Sequence, residues 1–122
     1  MFKTSIKLCL LLLALPLNDA QANDVYFCEV KAIAVLENDG PPKTATNTGE
    51  RIKFSYRDNE VKFREDSWYF KGGTLPVSDD SNATSWVSVQ KGGTTDFVSG
   101  IFSHASTNVI NSVSFRAKCD LF

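Results

Sequence analysis

The chain contains 122 residues, of which 13 are basic, 14 are acidic and 43% are hydrophobic. A chain of this length is expected to form a single domain. Neither sign of charge clusters along the sequence, so we expect neither a nucleic-acid groove nor a basic membrane-binding face.

The first 22 residues have the pattern of a secretory signal peptide. Lys3 and Lys7 provide a positive start, an apolar run follows over 8–17, and a small-x-small cleavage sequence ends at Ala22. The apolar run is too short to span a bilayer, which takes about 20 residues. We therefore predict that residues 1–22 are removed on export, and that the mature protein is periplasmic or secreted and has no membrane span.

The mature chain, residues 23–122, contains two cysteines, Cys28 near its start and Cys119 near its end, whereas Cys9 leaves with the signal peptide. Because export leads to an oxidising compartment, we predict a Cys28–Cys119 disulfide. Two separate buried thiols are the alternative. No metal site or other cofactor is expected, since two cysteines and one distant histidine lack the spacing of metal ligands.

Residues 25–37 predict the first strand. Thirteen residues make a long strand, so we expect a bend or bulge near Ala32. The turn sequence at 38–42 ends the strand, and the polar residues 43–50 predict an exposed loop. A continuous apolar face is formed by the even positions Tyr26, Cys28, Val30, Ala32, Ala34 and Leu36.

Residues 51–64 predict a β-hairpin that turns at Asp58 and Asn59. Apolar and polar residues alternate on both sides of this pair, and Asp and Asn tolerate the positive φ angles of a two-residue turn. The turn also predicts the register of the hairpin. The facing pairs are Phe54 with Phe63, Tyr56 with Val61, and Arg57 with Glu60.

Five further segments complete the set of predicted strands. Pro76 marks one of them as an edge, Gly100 interrupts another, and no stretch shows helical periodicity of useful length. Eight short strands with glycine turns predict an all-β fold, a small antiparallel eight-stranded barrel or a β-sandwich. We prefer the barrel, because a meander of eight strands brings the first and last strands together. The five segments are 68–70, 74–77, 86–90, 95–104 and 109–122.

Aromatic residues supply the candidate binding surface. Trp68, Tyr69 and Phe70 cannot all point inward, because successive side chains of a strand leave opposite faces. Trp and Tyr are enriched at binding hot spots. We therefore predict a contact surface of Trp68, Tyr69 and Trp86 together with the adjoining Gly-Gly turns. Packing of these rings beneath a loop is the alternative.

Three other features carry weaker chemical signals. His104 has no local acid and nucleophile that would form a triad with it, which favours a surface or strand-end histidine. Asp79 and Asp80 open an oxygen-rich loop, but the glycine and late glutamate of an EF-hand are missing, which favours a solvated turn. Asn82 begins an Asn-Ala-Thr sequence, which is the acceptor pattern for glycosylation in a eukaryotic secretory pathway.

The two ends of the chain resemble a known family. The tetrapeptide Tyr-Phe-Cys-Glu at 26–29, a cysteine near the end and eight short strands between them are similar to the periplasmic inhibitors of C-type lysozyme. The resemblance implies a small disulfide-closed barrel that plugs a lysozyme active site. The inhibitory loop of that family carries a Ser-Gly pair followed shortly by a tyrosine. The nearest match here, Ser99-Gly100, lacks the tyrosine, so we transfer no inhibitory residue.

These patterns predict a non-catalytic binding module, not an enzyme. One alternative is a hydrolase inhibitor of the lysozyme-directed kind, which calls for a rigid plug. Another is a carrier of a small apolar ligand, which calls for an internal cavity. The expected partner is a protein or a small ligand of unknown identity, and no nucleic acid.

Overall fold

A computed structural model describes residues 24–122, so the predicted signal peptide lies outside the described residues. This part of the chain folds into nine β-strands that pair antiparallel, and it contains no helix long and apolar enough to cross a bilayer. The strands are β1 (Asp24–Glu37), β2 (Lys43–Thr46), β3 (Arg51–Arg57), β4 (Glu60–Phe63), β5 (Thr74–Pro76), β6 (Ser85–Gln90), β7 (Gly93–Val98), β8 (Ile101–Thr107) and β9 (Asn111–Leu121).

Eight strands form a sheet in the order β5-β4-β3-β1-β9-β8-β7-β6, which curls into a nearly closed barrel. Near the meeting of the edge strands β5 and β6, the backbone N–H of Ser78 donates to the carbonyl of Val87 at 3.1 Å. The ninth strand, β2, pairs with the second half of β1. The predicted all-β fold with an antiparallel eight-stranded barrel is confirmed.

The first and last strands lie side by side in the middle of the sheet. They pair along almost their whole length, from Tyr26 opposite Leu121 to Glu37 opposite Asn111. In this register Cys28 faces Cys119, the two Cα atoms are 3.9 Å apart, and a disulfide joins the two buried side chains. The predicted disulfide is confirmed, and it links the first and last strands.

A β-bulge at Lys31 exchanges the two faces of β1. Before the bulge Val30 is fully buried, whereas after it Ile33 packs against the core and Ala32 and Ala34 are exposed. The predicted bulge is confirmed, but the predicted continuous apolar face is wrong from Ala32 to Leu36. An extra residue in one strand reverses the alternation of side chains at every later position.

The hairpin of β3 and β4 is confirmed in both turn and register. Asp58 and Asn59 adopt φ angles of 52° and 60°, as a two-residue turn of the primed kind requires. The observed pairs include Phe54 with Phe63, Tyr56 with Val61, and Arg57 with Glu60.

Three other segment predictions are wrong. Segment 95–104 is not one strand, because Ser99 and Gly100 form a turn with φ angles of 47° and 89° between β7 and β8. Residues 68–70 lie in a loop and form no strand. The predicted loop at 43–50 contains β2, whose four side chains are all exposed and so show no alternation between a buried and a wet face.

Aromatic side chains fill the interior of the barrel. Phe54 lies among five other rings, whose centroids are 5.3 to 5.9 Å from its own. Tilted and edge-to-face contacts dominate this cluster, which is the geometry that aromatic quadrupoles favour. The five rings belong to Tyr26, Phe63, Trp86, Phe97 and Phe102, and all are buried.

Candidate functional site

The loop between β4 and β5, residues 64–73, lies at the end of the barrel where β1 also ends; we call it the aromatic loop. Ser67 is fully buried and fixes the loop, because its hydroxyl donates to the carbonyl of Tyr69 at 2.8 Å and accepts the backbone N–H of Lys53. The backbone N–H of Trp68 donates to the carbonyl of Arg51 at 2.8 Å. The loop is therefore bonded to the wall of the barrel.

The three consecutive aromatic residues of the loop have different environments. Trp68 remains 41% exposed, and its ring rests edge-on against Phe115, at 5.1 Å between centroids. Phe70 is also exposed, and its ring lies so close to Gly73 that a Cβ there would be 2.5 Å away. Tyr69 packs against the core. The loop thus directs Tyr69 inward and leaves its two neighbours partly in water.

Trp86, the third predicted surface residue, lies elsewhere. Its side chain is 1% exposed and stacks on Phe97 inside the barrel. The alternation of β6 places Trp86 on the buried face and Val87 on the outer face. Because a partner reaches Trp86 only if the barrel opens, we remove it from the predicted contact surface. Its indole N–H is buried and has no hydrogen-bond partner among residues 24–122.

The Tyr69 hydroxyl belongs to a cluster of polar side chains on the inner face of β6, β7 and β8. It lies 3.1 Å from the Thr95 hydroxyl and 3.3 Å from Nδ1 of His104, and these two groups are 2.7 Å apart. Thr95 also donates to Gln90 at 3.4 Å, and the Gln90 amide donates to the buried Ser88 hydroxyl at 2.9 Å. The cluster holds the aromatic loop by a buried anchor, in addition to its backbone bonds.

Burial shifts the two titratable members of this cluster in opposite directions. Desolvation lowers the pKa of His104 below its ordinary value of 6.5 and raises the pKa of Tyr69 above 10.0. Both shifts favour the neutral forms. Thr95, the nearest hydroxyl to the imidazole, is fully buried and so cannot approach a substrate. The arrangement therefore suits a structural anchor better than nucleophilic catalysis.

The contact between Thr95 and His104 follows from the turn that the sequence analysis missed. With Ser99 and Gly100 as a two-residue turn, Thr95 pairs with His104 across β7 and β8. A continuous strand would place them far apart. A Ser-Gly pair flanked by alternating residues was the available signal, although it is weaker than Asn-Gly.

The remaining sequence candidates lie on a different part of the surface. Asp79 and Asp80 are exposed in a turn, and within residues 24–122 no group of three or more His, Cys, Asp or Glu side chains could hold a metal ion. Asn82 is exposed, and its side-chain oxygen accepts bonds from the backbone N–H and the hydroxyl of Thr84 at 2.9 and 2.8 Å. Neither group contacts the aromatic loop.

A shallow trough of about 560 Å³ crosses the outer face of β2, β1, β9, β8 and β7. The outward side chains along it are mostly Ala, Ser and Thr, and the charged ones among its lining are Asp96 and Arg116. The sequence pattern did not predict the trough, because it assigned Ala32 and Ala34 to the buried face of β1. The bulge at Lys31 turns them outward.

Comparison of the chain with protein-family models, curated proteins and solved structures finds no match.

Proposed function

We propose that this domain is a non-catalytic binding module, exported to an oxidising compartment, that contacts a protein partner through the aromatic loop. The observation that carries the proposal is the state of Trp68. The residue is 41% exposed, while its own backbone and both neighbouring residues are held by hydrogen bonds.

An exposed ring in a fixed position is well suited to binding. Tryptophan is among the residues that contribute most at interfaces, since it buries a large area against a partner. Association also costs the ordering of side chains and loops, and a loop already bonded to the barrel avoids much of this cost. Phe70 extends the apolar surface beside Trp68.

The packing of the interior favours this proposal over a carrier of an apolar ligand. Small barrels that carry ligands keep a cavity inside the sheet. Here Phe54 and its five neighbouring rings occupy that space, and Tyr69 packs against the same cluster. Two depressions of the described surface, of about 560 and 390 Å³, are lined mostly by side chains of the outer face of the sheet.

A hydrolase inhibitor is the narrower form of the proposed function. A plug for an active-site cleft has to be rigid. The aromatic loop is hydrogen-bonded to the barrel, and the Cys28–Cys119 disulfide joins the first and last strands of that barrel. The resemblance of the chain ends to the inhibitors of C-type lysozyme makes that enzyme the first one to assay. An enzyme activity of the domain itself has less support, because the Thr95 hydroxyl beside His104 is inaccessible.

The test compares immobilised wild-type protein with a Trp68→Ala variant in affinity capture from the extracytoplasmic fraction of the producing cell. We expect at least one protein to be retained by wild type and depleted about tenfold or more with the variant, since loss of a hot-spot residue costs about 2 kcal/mol or more. Val98→Ala is the matched control, because Val98 is an exposed apolar residue at the opposite end of the barrel.

Equal capture by wild type and Trp68→Ala would show that the aromatic loop is not the contact surface. Titration of C-type lysozyme with the purified protein tests the narrower form, which predicts stoichiometric inhibition that Trp68→Ala weakens. Saturable binding of an apolar dye to the wild type would favour the carrier instead.

A further inference from the structure

His104 on β8 contacts the two aromatic rings that lie next to Trp68. Its ring centroid is 4.9 Å from that of Tyr69 and 5.2 Å from that of Phe115. Tyr69 follows Trp68 in the aromatic loop, and Phe115 is the ring on which Trp68 rests. A change in the charge of His104 therefore acts directly on the contacts that hold the aromatic loop.

The hydrogen bonds of the polar cluster suit a neutral imidazole. With Nδ1 of His104 as the acceptor, the Thr95 hydroxyl donates to it at 2.7 Å, and the Thr95 oxygen accepts the Tyr69 hydroxyl at 3.1 Å. A proton on Nδ1 reverses the first of these bonds. If Tyr69 is still to donate, the Thr95 proton must then turn to the Gln90 oxygen at 3.4 Å, which is long for a hydrogen bond. Protonation therefore weakens the network that holds Tyr69.

A protonated His104 has no counterion on the elements packed against it. Within residues 24–122 no carboxylate forms an ion pair with His104, and desolvation lowers its pKa. Tyr69, the other titratable member of the cluster, stays neutral because burial raises its pKa. The charged residues of β7 and β9 belong to the outer face, since they alternate with the inward Thr95 and Phe115. The charged residues of these elements are Asp96 on β7, Arg116, Lys118 and Asp120 on β9, and Arg64, Glu65, Asp66 and Lys71 in the aromatic loop, where Asp66 pairs with Lys53, whereas β6 and β8 have no Asp, Glu, Lys or Arg.

The residue after Tyr69 is held in an unfavourable backbone conformation. Phe70 has a φ angle of 50°, in the left-handed region that bulky residues rarely adopt. The preceding part of the loop is bonded independently of Tyr69, since the backbone N–H of Trp68 donates to β3 and the Ser67 hydroxyl is buried. Loss of the Tyr69 anchor would therefore let residues 69–71, which we call the loop crest, relax while the rest of the loop stays in place.

We propose that the aromatic loop is a pH-sensitive switch, whose crest is fixed to the barrel while His104 is neutral and is released when His104 is protonated. In the open form the imidazole regains its ordinary pKa of 6.5, whereas burial keeps the pKa lower in the closed form. The ratio of open to closed loop therefore rises as the pH falls below 6.5, by at most about tenfold per pH unit, until the pH reaches the closed-form pKa. Weaker partner binding in the same pH range rests on the proposed function, but the switch itself does not.

Nuclear magnetic resonance of the ¹⁵N-labelled, disulfide-bonded wild type at about pH 8 and about pH 5 tests the proposal without any partner. The titration of the His104 ring is followed in the same samples. The amide order parameters of the loop crest are expected to fall from about 0.85 at the higher pH to below about 0.6 at the lower pH. Those of β3 and β9 should not change, and the amide shifts of the crest should titrate with the midpoint of the His104 ring.

Two variants and a matched control identify the group responsible. His104→Gln stays neutral at every pH, so its loop crest should be equally ordered at both pH values. Tyr69→Phe keeps the ring but loses the hydroxyl, so its crest should be more mobile than that of wild type at about pH 8. Tyr56→Phe is the control, because the Tyr56 hydroxyl bonds Asn59 and Ser81, both at 3.1 Å, at the opposite end of the barrel. Its crest should behave as in wild type.

Three results would overturn the proposal. The first is a wild-type loop crest that is equally ordered at both pH values. The second is a His104→Gln variant with the same pH response as wild type, which would assign the response to another group. The third is a loss of order in β3 and β9 together with the crest, which would mean global unfolding. Equal capture of partners by wild type and Trp68→Ala would refute the proposed function and leave these measurements unaffected.

Discussion

The structure allows a direct estimate of how much stability the protein loses when the Cys28–Cys119 disulfide is reduced. The two cysteines are 91 positions apart in sequence, so the bond closes a loop that contains nearly all of residues 24–122. They are also direct neighbours in the pairing of β1 with β9, which hydrogen bonds maintain without the sulfur atoms. We therefore expect the folded state to keep its register after reduction, and the unfolded state to change.

The expected loss can be calculated from chain entropy. Closure of a loop of this size stabilises the folded state by about 4.6 kcal/mol through its constraint on the unfolded chain. A Cys28→Ala/Cys119→Ala variant should lose about 2 kcal/mol more, because each buried sulfur atom that is removed costs roughly 1 kcal/mol. Domains of this size have a total stability of about 5–15 kcal/mol, so either change is a large fraction of the whole.

Urea unfolding followed by fluorescence measures both quantities. Oxidised wild type, reduced wild type and the double alanine variant are compared, and the reduced wild type should lie between the other two. The slope of the free energy of unfolding against urea should be larger without the cross-link, because the unfolded chain then exposes more surface. A loss below about 1 kcal/mol on reduction would refute the reasoning, since it would mean that the unfolded chain is already compact.

Three further predictions concern side-chain environments. Replacing one tryptophan by phenylalanine leaves the other as the only source of tryptophan fluorescence. The Trp86→Phe variant, which reports on the partly exposed Trp68, should show red-shifted emission and strong quenching by iodide. The Trp68→Phe variant, which reports on the buried Trp86, should show blue-shifted emission and little quenching. Ser99→Asn should raise the free energy of unfolding by about 0.5–1 kcal/mol, because Asn-Gly suits a turn whose first residue has φ 47°. Burial lowers the folded-state pKa of His104 below 6.5, so its contribution to stability is present above that pH and is lost as the pH falls towards the folded value.

Each of these predictions has a matched control. Similar quenching of the two tryptophans would contradict the placement of Trp86 in the core. Ser99→Val should destabilise where Ser99→Asn stabilises, because a β-branched residue opposes a positive φ, and equal effects would contradict the turn. A His104→Gln variant should show a smaller fall in urea midpoint between about pH 8 and about pH 5 than wild type, and an equal fall would assign the pH dependence to other groups.

Local patterns in the sequence were sufficient to predict part of the candidate site, namely the exposed aromatic residues of the aromatic loop. Trp68, Tyr69 and Phe70 were expected not to be all buried, and Trp68 and Phe70 are exposed, although the three residues lie in a loop and not in the strand whose alternation was the premise. The same reasoning did not find the place of Trp86, since a strand pattern does not say which of its faces is turned inward. It also missed the bond between Thr95 and His104, because that contact depends on one unrecognised turn.

The sequence by itself determined the features that follow from the residue pattern alone. These are the alternation of the strands, the Asp58-Asn59 turn with its register, and two cysteines that pair across the ends of the chain. Only the tertiary structure decided which side chains are exposed beyond Lys31, since one extra residue in β1 reverses its faces. It also decided that Tyr69 turns inward to pack against the core and to bond Thr95 and His104. Packing between elements that are distant in sequence leaves no periodic signal in the chain.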